Sequence, residues 1–135
     1  MTVVVGYVPT PTGLAALDAA IDAARGLDAS LTVVNTGHDG NYNHPDFATA
    51  ADLDAIDGQL TQLGIRHEIV QATSGRSAAD EILLAERTYS ATLIVIGVRR
   101  RSPVGKLLTG STSQMVLLEA ECPVLAVKAP REAAS

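Results

Sequence analysis

Cysteine is nearly absent from this 135-residue chain: Cys122 stands alone. That excludes an internal disulfide and a cysteine-rich zinc site. Tryptophan is missing and aromatic residues reach only 3%, so there is no stacking platform for single-stranded bases. No apolar run approaches 18 residues, and no membrane-spanning helix is expected. The opening Met1-Thr2-Val3-Val4-Val5 lacks the charged flank and small-residue cleavage site of a signal peptide, which makes the cytoplasm the expected location. Bases are outnumbered, ten Lys+Arg against fifteen Asp+Glu for a net charge of −5, which argues against a nucleic-acid partner. What the chain does have is apolar residues, 47% of the total, a share that supports one globular core at this length. One domain over residues 1–129 is expected, with 130–135 as a disordered tail.

Short β-branched runs alternate with helical patterns. Thr2–Val8 (TVVVGYV) is nearly continuous in apolar character, as a strand covered on both faces should be. Thr10-Pro11 supplies an N-cap and a first-turn proline. Leu14, Leu17, Ile21 and Ala24 follow at helical spacing, with Gly26 as the stop. Leu31–Thr36 reads as a second strand, and 37–45 as a turn-rich loop. Leu53, Ile56, Leu60 and Leu63 mark a second helix ended by Gly64, and Arg66–Ala72 a third strand. Ser77 and Asp80 have capping-box spacing ahead of a helix carrying Ala78, Ile82, Ala85 and Tyr89. Thr92–Val98 is a fourth strand, Ser111 to about Glu121 a fourth helix, and Val124–Val127 a fifth strand entered through Pro123. The alternation predicts an α/β fold, an open, doubly wound, five-stranded parallel sheet in a three-layer, Rossmann-like α/β/α arrangement. Ligands of such sheets sit outside the carboxyl ends of the strands.

Charge is concentrated at that end. Arg99, Arg100, Arg101 and Lys106 lie within eight positions, and no acid occurs from Gly97 to Leu118. That segment carries +4, leaving −9 on the rest. One reading is a solvated loop, the other a small-anion site. Gly110-Ser111-Thr112-Ser113 opens a helix, whose free N–H groups and dipole favour phosphate. Arginine adds bidentate geometry. The competing structural reading is that Ser111 and Gln114 form a capping box and that Gly97 and Gly110 serve turns. A Walker loop is excluded, because Arg100 stands where its first glycine should be and Leu107 follows Gly105-Lys106. The first strand-to-helix turn, Val8-Pro9-Thr10-Pro11-Thr12-Gly13, has no dinucleotide G-x-G.

The block Thr92–Lys128, with TLIVIG, the glycine-bearing loop and GSTSQMVLLEAECPVLAVK, resembles the universal stress proteins. ATP-binding members carry G-x2-G-x9-G-(S/T) there. Gly97 and Gly110-Ser111 match, and Arg100 replaces the middle glycine. The opening VVVGYVPTPTGLAALDAA also fits the family's first strand and helix. The resemblance implies strand order 3-2-1-4-5, a homodimer, and an adenine nucleotide (ATP, AMP or a cyclic nucleotide) in a cleft between strands one and four. Magnesium would enter only with the nucleotide. Val8, beside Pro9, stands where binding members have an Asp at the end of strand one; Thr36 would contact adenine through its backbone. The phosphates would sit on Gly97 and on Gly110, Ser111 and Thr112, with Ser113 nearby and Arg99 and Arg100 supplying charge. Arg100 could block the cleft or replace lost donors. The alternative is a nucleotide-free dimeric interaction protein with a degenerate site.

No enzyme is expected: there is no Gly-x-Ser-x-Gly elbow and no base near Ser111, so ATP hydrolysis would be slow and incidental. His38, His44 and His67 lack metal-ligand spacing and a carboxylate pattern. Cys122 is expected to be a buried, inert thiol. Met115 and Leu118 are assigned to the core, Asp52, Asp54 and Asp57 to a solvated helix face, and Tyr42 and Phe47 to packing within the long loop. Val124, Leu125, Ala126 and Val127 are expected to pair with a second copy, since an unprotected apolar edge strand is a liability.

Overall fold

The computed structural model describes residues 1–36, 49–71, 76–98 and 110–129. Their elements are β1 (Thr2–Tyr7), α1 (Pro11–Leu27), β2 (Ser30–Asn35), α2 (Ala50–Gln62), β3 (His67–Gln71), α3 (Ala78–Thr88), β4 (Leu93–Val98), α4 (Ser111–Glu119) and β5 (Val124–Lys128). All pairings are parallel and the order is β3-β2-β1-β4-β5, as the alternation and the resemblance predict. Val4 of β1 sits level with Thr32 of β2 and Ile94 of β4.

Side chains alternate across the sheet, and both faces are covered. Val3, Val5 and Tyr7, with Leu31, Val33 and Val95, pack under α1 and α2. Val4, Val34, Ile94, Ile96 and Val98 pack with Ala79, Ile82 and Ala85 of α3 and Val116 of α4. This two-sided burial is why the central strands read as unbroken apolar runs. Each such side chain contributes about 1.5–3 kcal/mol when fully buried.

Three helices begin on side-chain caps. Thr10 Oγ1 accepts from Gly13 N–H at 3.1 Å, the expected cap, and Ser77 Oγ accepts from Asp80 N–H at 3.2 Å, the N-cap half of the expected box. At α2, Thr49 Oγ1 accepts from Asp52 N–H (3.2 Å) while the Asp52 carboxylate accepts from Thr49 N–H (3.0 Å), a reciprocal box not anticipated from the sequence.

Several boundaries need correction. Gly26 does not stop α1; the helix continues to Leu27 and Asp28 caps it at φ 52°, because a short polar side chain tolerates the left-handed region. Leu63 is the C-cap of α2, 39% exposed rather than part of its buried stripe, and the turn at Gly64 (φ 72°) follows it. Val8, Thr36, Arg66 and Thr92 fall just outside their strands. At α4 the N-cap is Gly110, with Ser111 the first helical residue, so Ser111 does not cap its own helix. The expected tail, residues 130–135, lies outside the described residues.

Met115 and Leu118 are not core residues: they are 45% and 83% exposed. Residues 115–118 are all apolar, but only Val116 fits against the sheet. A helix on an outer layer has room for one inward stripe, and four consecutive apolar residues cannot all share it.

Candidate functional site

The carboxyl ends of β1, β2 and β4 bring together the sequence-predicted residues. Tyr7 pairs with Asn35 in register, and Thr36 N–H donates to Tyr7 O at 3.4 Å, so the residue after β2 is held beside the end of β1. Val8 and Pro9 are half-buried in the turn that follows β1, where Thr10 N–H donates to Val8 O at 2.8 Å. Gly97 lies two residues beyond the registered pair Val5–Val95. A helix joining two parallel strands runs back along the sheet, so the amino end of α4, from Gly110 through Thr112 to Ser113, belongs to this same pole.

Two of the glycines differ in what they accommodate. A Cβ on Gly97 would stand 2.5 Å from Thr12 Cγ2 and 2.7 Å from Thr12 O. The first turn of α1 therefore lies against the end of β4, and close packing accounts for this glycine. A Cβ on Gly110 would meet nothing within 4 Å among the described residues. Gly110 is exposed, extended (φ −69°, ψ 165°), and makes no side-chain cap bond. Among the described helices, α4 alone has an N-cap residue that makes no side-chain cap bond. Thr112 is half-buried and Ser113 buried against the sheet. An uncapped amino end flanked by small residues can accept an anion by its N–H groups and dipole.

Not all the predicted groups fall within the described residues. Arg99, Arg100, Arg101, Lys106, His38, His44, Tyr42, Phe47 and the side chain of Ser111 lie outside them. Sequence reasoning passed over Asn35, which is wholly buried at the end of β2; the available signal was one amide closing an otherwise apolar strand. It also passed over Tyr7, whose hydroxyl is pushed up in pKa by burial and then by the charge of Asp52. Asp52 is thus a capping residue near this pole, not merely part of a solvated face.

At the amino pole of the sheet, a groove of about 340 Å³ is lined by Arg25, Asp28, Gly64, Ile65 and Arg66, among others. It lies between the carboxyl ends of α1 and α2, away from the candidate cleft. Its charges are of both signs, and the residues that carry them are exposed.

β5 is the last strand of the sheet, as its expected pairing role requires. Leu125 (43%) and Ala126 are exposed, while Val124 and Val127 are half-buried against the two core layers. The turn into β5 is held by α3: Glu86, itself buried, accepts from Glu121 N–H (2.9 Å) and Cys122 N–H (2.8 Å) through one carboxylate oxygen. Burial, then the bond and charge of Glu86, push the Cys122 thiol up to about 12. The thiolate that would react is therefore suppressed at neutral pH.

The chain was compared with known proteins. A family model described as the universal stress protein family matches residues 1–128. A curated universal stress protein from Mycolicibacterium smegmatis is 41% identical over 126 residues, covering 93% of this chain and 96% of its own. A universal stress protein structure from Archaeoglobus fulgidus superposes with TM-score 0.74 at 27% identity, covering 95% of this chain and 98% of that one. Another from the same organism, solved in complex with dAMP, gives TM-score 0.60 at 22% identity, with 95% and 98% covered. Among the described residues, no helix is long and apolar enough to cross a membrane.

Proposed function

The chain belongs to the universal stress protein family, and on that premise we propose that it is a regulatory module of the stress response that binds an adenine nucleotide between the carboxyl ends of β1 and β4. The observation that carries this reading is the amino end of α4. Among the described residues Gly110 leaves open space, and it makes no side-chain cap bond, which fits a phosphate against the amides of Ser111, Thr112 and Ser113. The adenine would lie against Val8, Pro9 and the backbone of Thr36. Arg99 and Arg100 would supply charge-assisted bonds to the phosphates, and Mg²⁺ would arrive only with the nucleotide. The dAMP complex of the Archaeoglobus relative supports the ligand class. The role is binding without turnover, and the cytoplasm is its proposed location.

We further propose a homodimer through Val124, Leu125, Ala126 and Val127. Antiparallel pairing of two β5 edges about a two-fold axis would satisfy their outward N–H and C=O groups and cover Leu125.

Isothermal titration with ATP and AMP, each with and without Mg²⁺, tests the nucleotide reading, alongside mass spectrometry of the purified protein for carried-over nucleotide. Saturable heat that weakens with added salt is expected. Absence of heat and of carried-over nucleotide would overturn it. That outcome would favour the second reading, a nucleotide-free dimeric interaction protein. Val8 in place of a carboxylate, and Gly97 filled by the Thr12 backbone, are the features that speak for it.

A further inference from the structure

His67 opens β3, far from the candidate cleft, and the expectation that it lacks a carboxylate partner does not hold. Its side chain is 12% exposed. Nε2 lies 2.6 Å from Asp57 Oδ1 on α2, and Nδ1 lies 2.8 Å from the carbonyl oxygen of Ile65. A carbonyl and a carboxylate only accept hydrogen bonds. A neutral imidazole carries one N–H, so either tautomer would leave a ring lone pair facing an oxygen lone pair. Only the doubly protonated ring satisfies both contacts.

We propose that His67 acts as a protonation-dependent latch: as imidazolium it fastens the middle of α2, through Asp57, to the start of β3 and to the Ile65 turn that joins them. The latch closes at mildly acidic pH and loosens at alkaline pH, giving this edge of the molecule a built-in sensitivity to proton concentration. Its ligand is the proton alone, and it stands independently of nucleotide binding.

The charged surroundings agree with this assignment. Burial of the ring works against protonation, but the Ile65 carbonyl, the bond and charge of Asp57, and the charge of Glu68 outweigh it, so the net shift is upward from the usual 6.5. On the neighbouring strand the registered partner is Leu31, which is uncharged. Arg25 and Asp28 at the end of α1, with Arg66, line the groove that adjoins Ile65. They present two positive groups and one negative without displacing the Asp57 contact. Because the folded value is raised, the stabilisation is complete below the unfolded value of about 6.5 and is lost as pH rises through the folded value. Asp57 is 60% exposed, so salt weakens its charge contribution but not the Ile65 contact.

Long-range ¹H–¹⁵N NMR of the full chain reads the ring directly. At pH 6 both His67 nitrogens are expected to be protonated, with a titration midpoint above that of a model imidazole. The thermal midpoints of wild type and Asp57→Asn are then compared across pH 5.5–9. The expected gap is several degrees at pH 5.5 and closes toward alkaline pH; the two proteins differ at residue 57 alone. A His67 midpoint at or below 6.5, or a gap that does not change with pH, would overturn the latch. If Asp57→Asn does not fold, the wild-type titration decides alone.

Discussion

At the scale of single residues, the molecule is set by a few contacts across long stretches of chain. Gly97 is the clearest. Its missing Cβ is occupied by Thr12 backbone at 2.7 Å, and backbone does not yield as a flexible side chain would. Gly97→Ala is therefore expected to destabilise the fold by about 1–3 kcal/mol, read as a lower urea midpoint at unchanged slope. The family motif singles out this glycine, but the motif alone did not say whether ligand or protein fills the space. His67 and Asp57 stand ten positions apart and on different elements, so no local spacing rule could join them. Glu86 and Cys122 are still further apart.

At the scale of elements, helix starts were legible wherever hydroxyl and spacing agreed, as at Thr10-Pro11 and at Ser77 with Asp80. Thr49 has the same hydroxyl-x-x-Asp spacing as Ser77 and was missed because it follows a turn-rich stretch, where no helix start was sought. Thr49→Ala removes one half of that box and is expected to cost about 1 kcal/mol, measured by chemical denaturation. The carboxyl end of α1 was misread for the opposite reason: Gly26 looked like the natural stop, while Asp28 adopts the left-handed conformation. α4 shows where periodicity runs out. Four apolar residues in succession, Met115 to Leu118, give no preferred face, and only the packing of Val116 against β4 decides it. At the amino end of α4 the cap was misread: Gly110, not Ser111, takes that position.

At the scale of the whole molecule, the parallel sheet and its layering followed from the alternation, and the strand order from the family resemblance. What the pattern could not give is which apolar groups remain outside. Leu125 on the terminal strand and Leu118 on the adjoining layer stay exposed in the single chain. If β5 pairs with a second copy, Leu125→Glu places like charges across the two-fold axis. The expected outcome is a shift from dimer to monomer in sedimentation equilibrium, with the helical circular dichroism retained. A dimer that persists unchanged would move the interface elsewhere.

The Glu86 carboxylate has a consequence for this assembly. The terminal strand of a domain is the segment most readily traded between neighbouring copies, and such trading requires the connection before it to straighten. Here that connection contains the two amides of Glu121 and Cys122, both bound by one oxygen from α3. Straightening would strip a buried carboxylate of both donors at once, which carries a heavy energetic penalty. The connection thus guards the last strand against exchange.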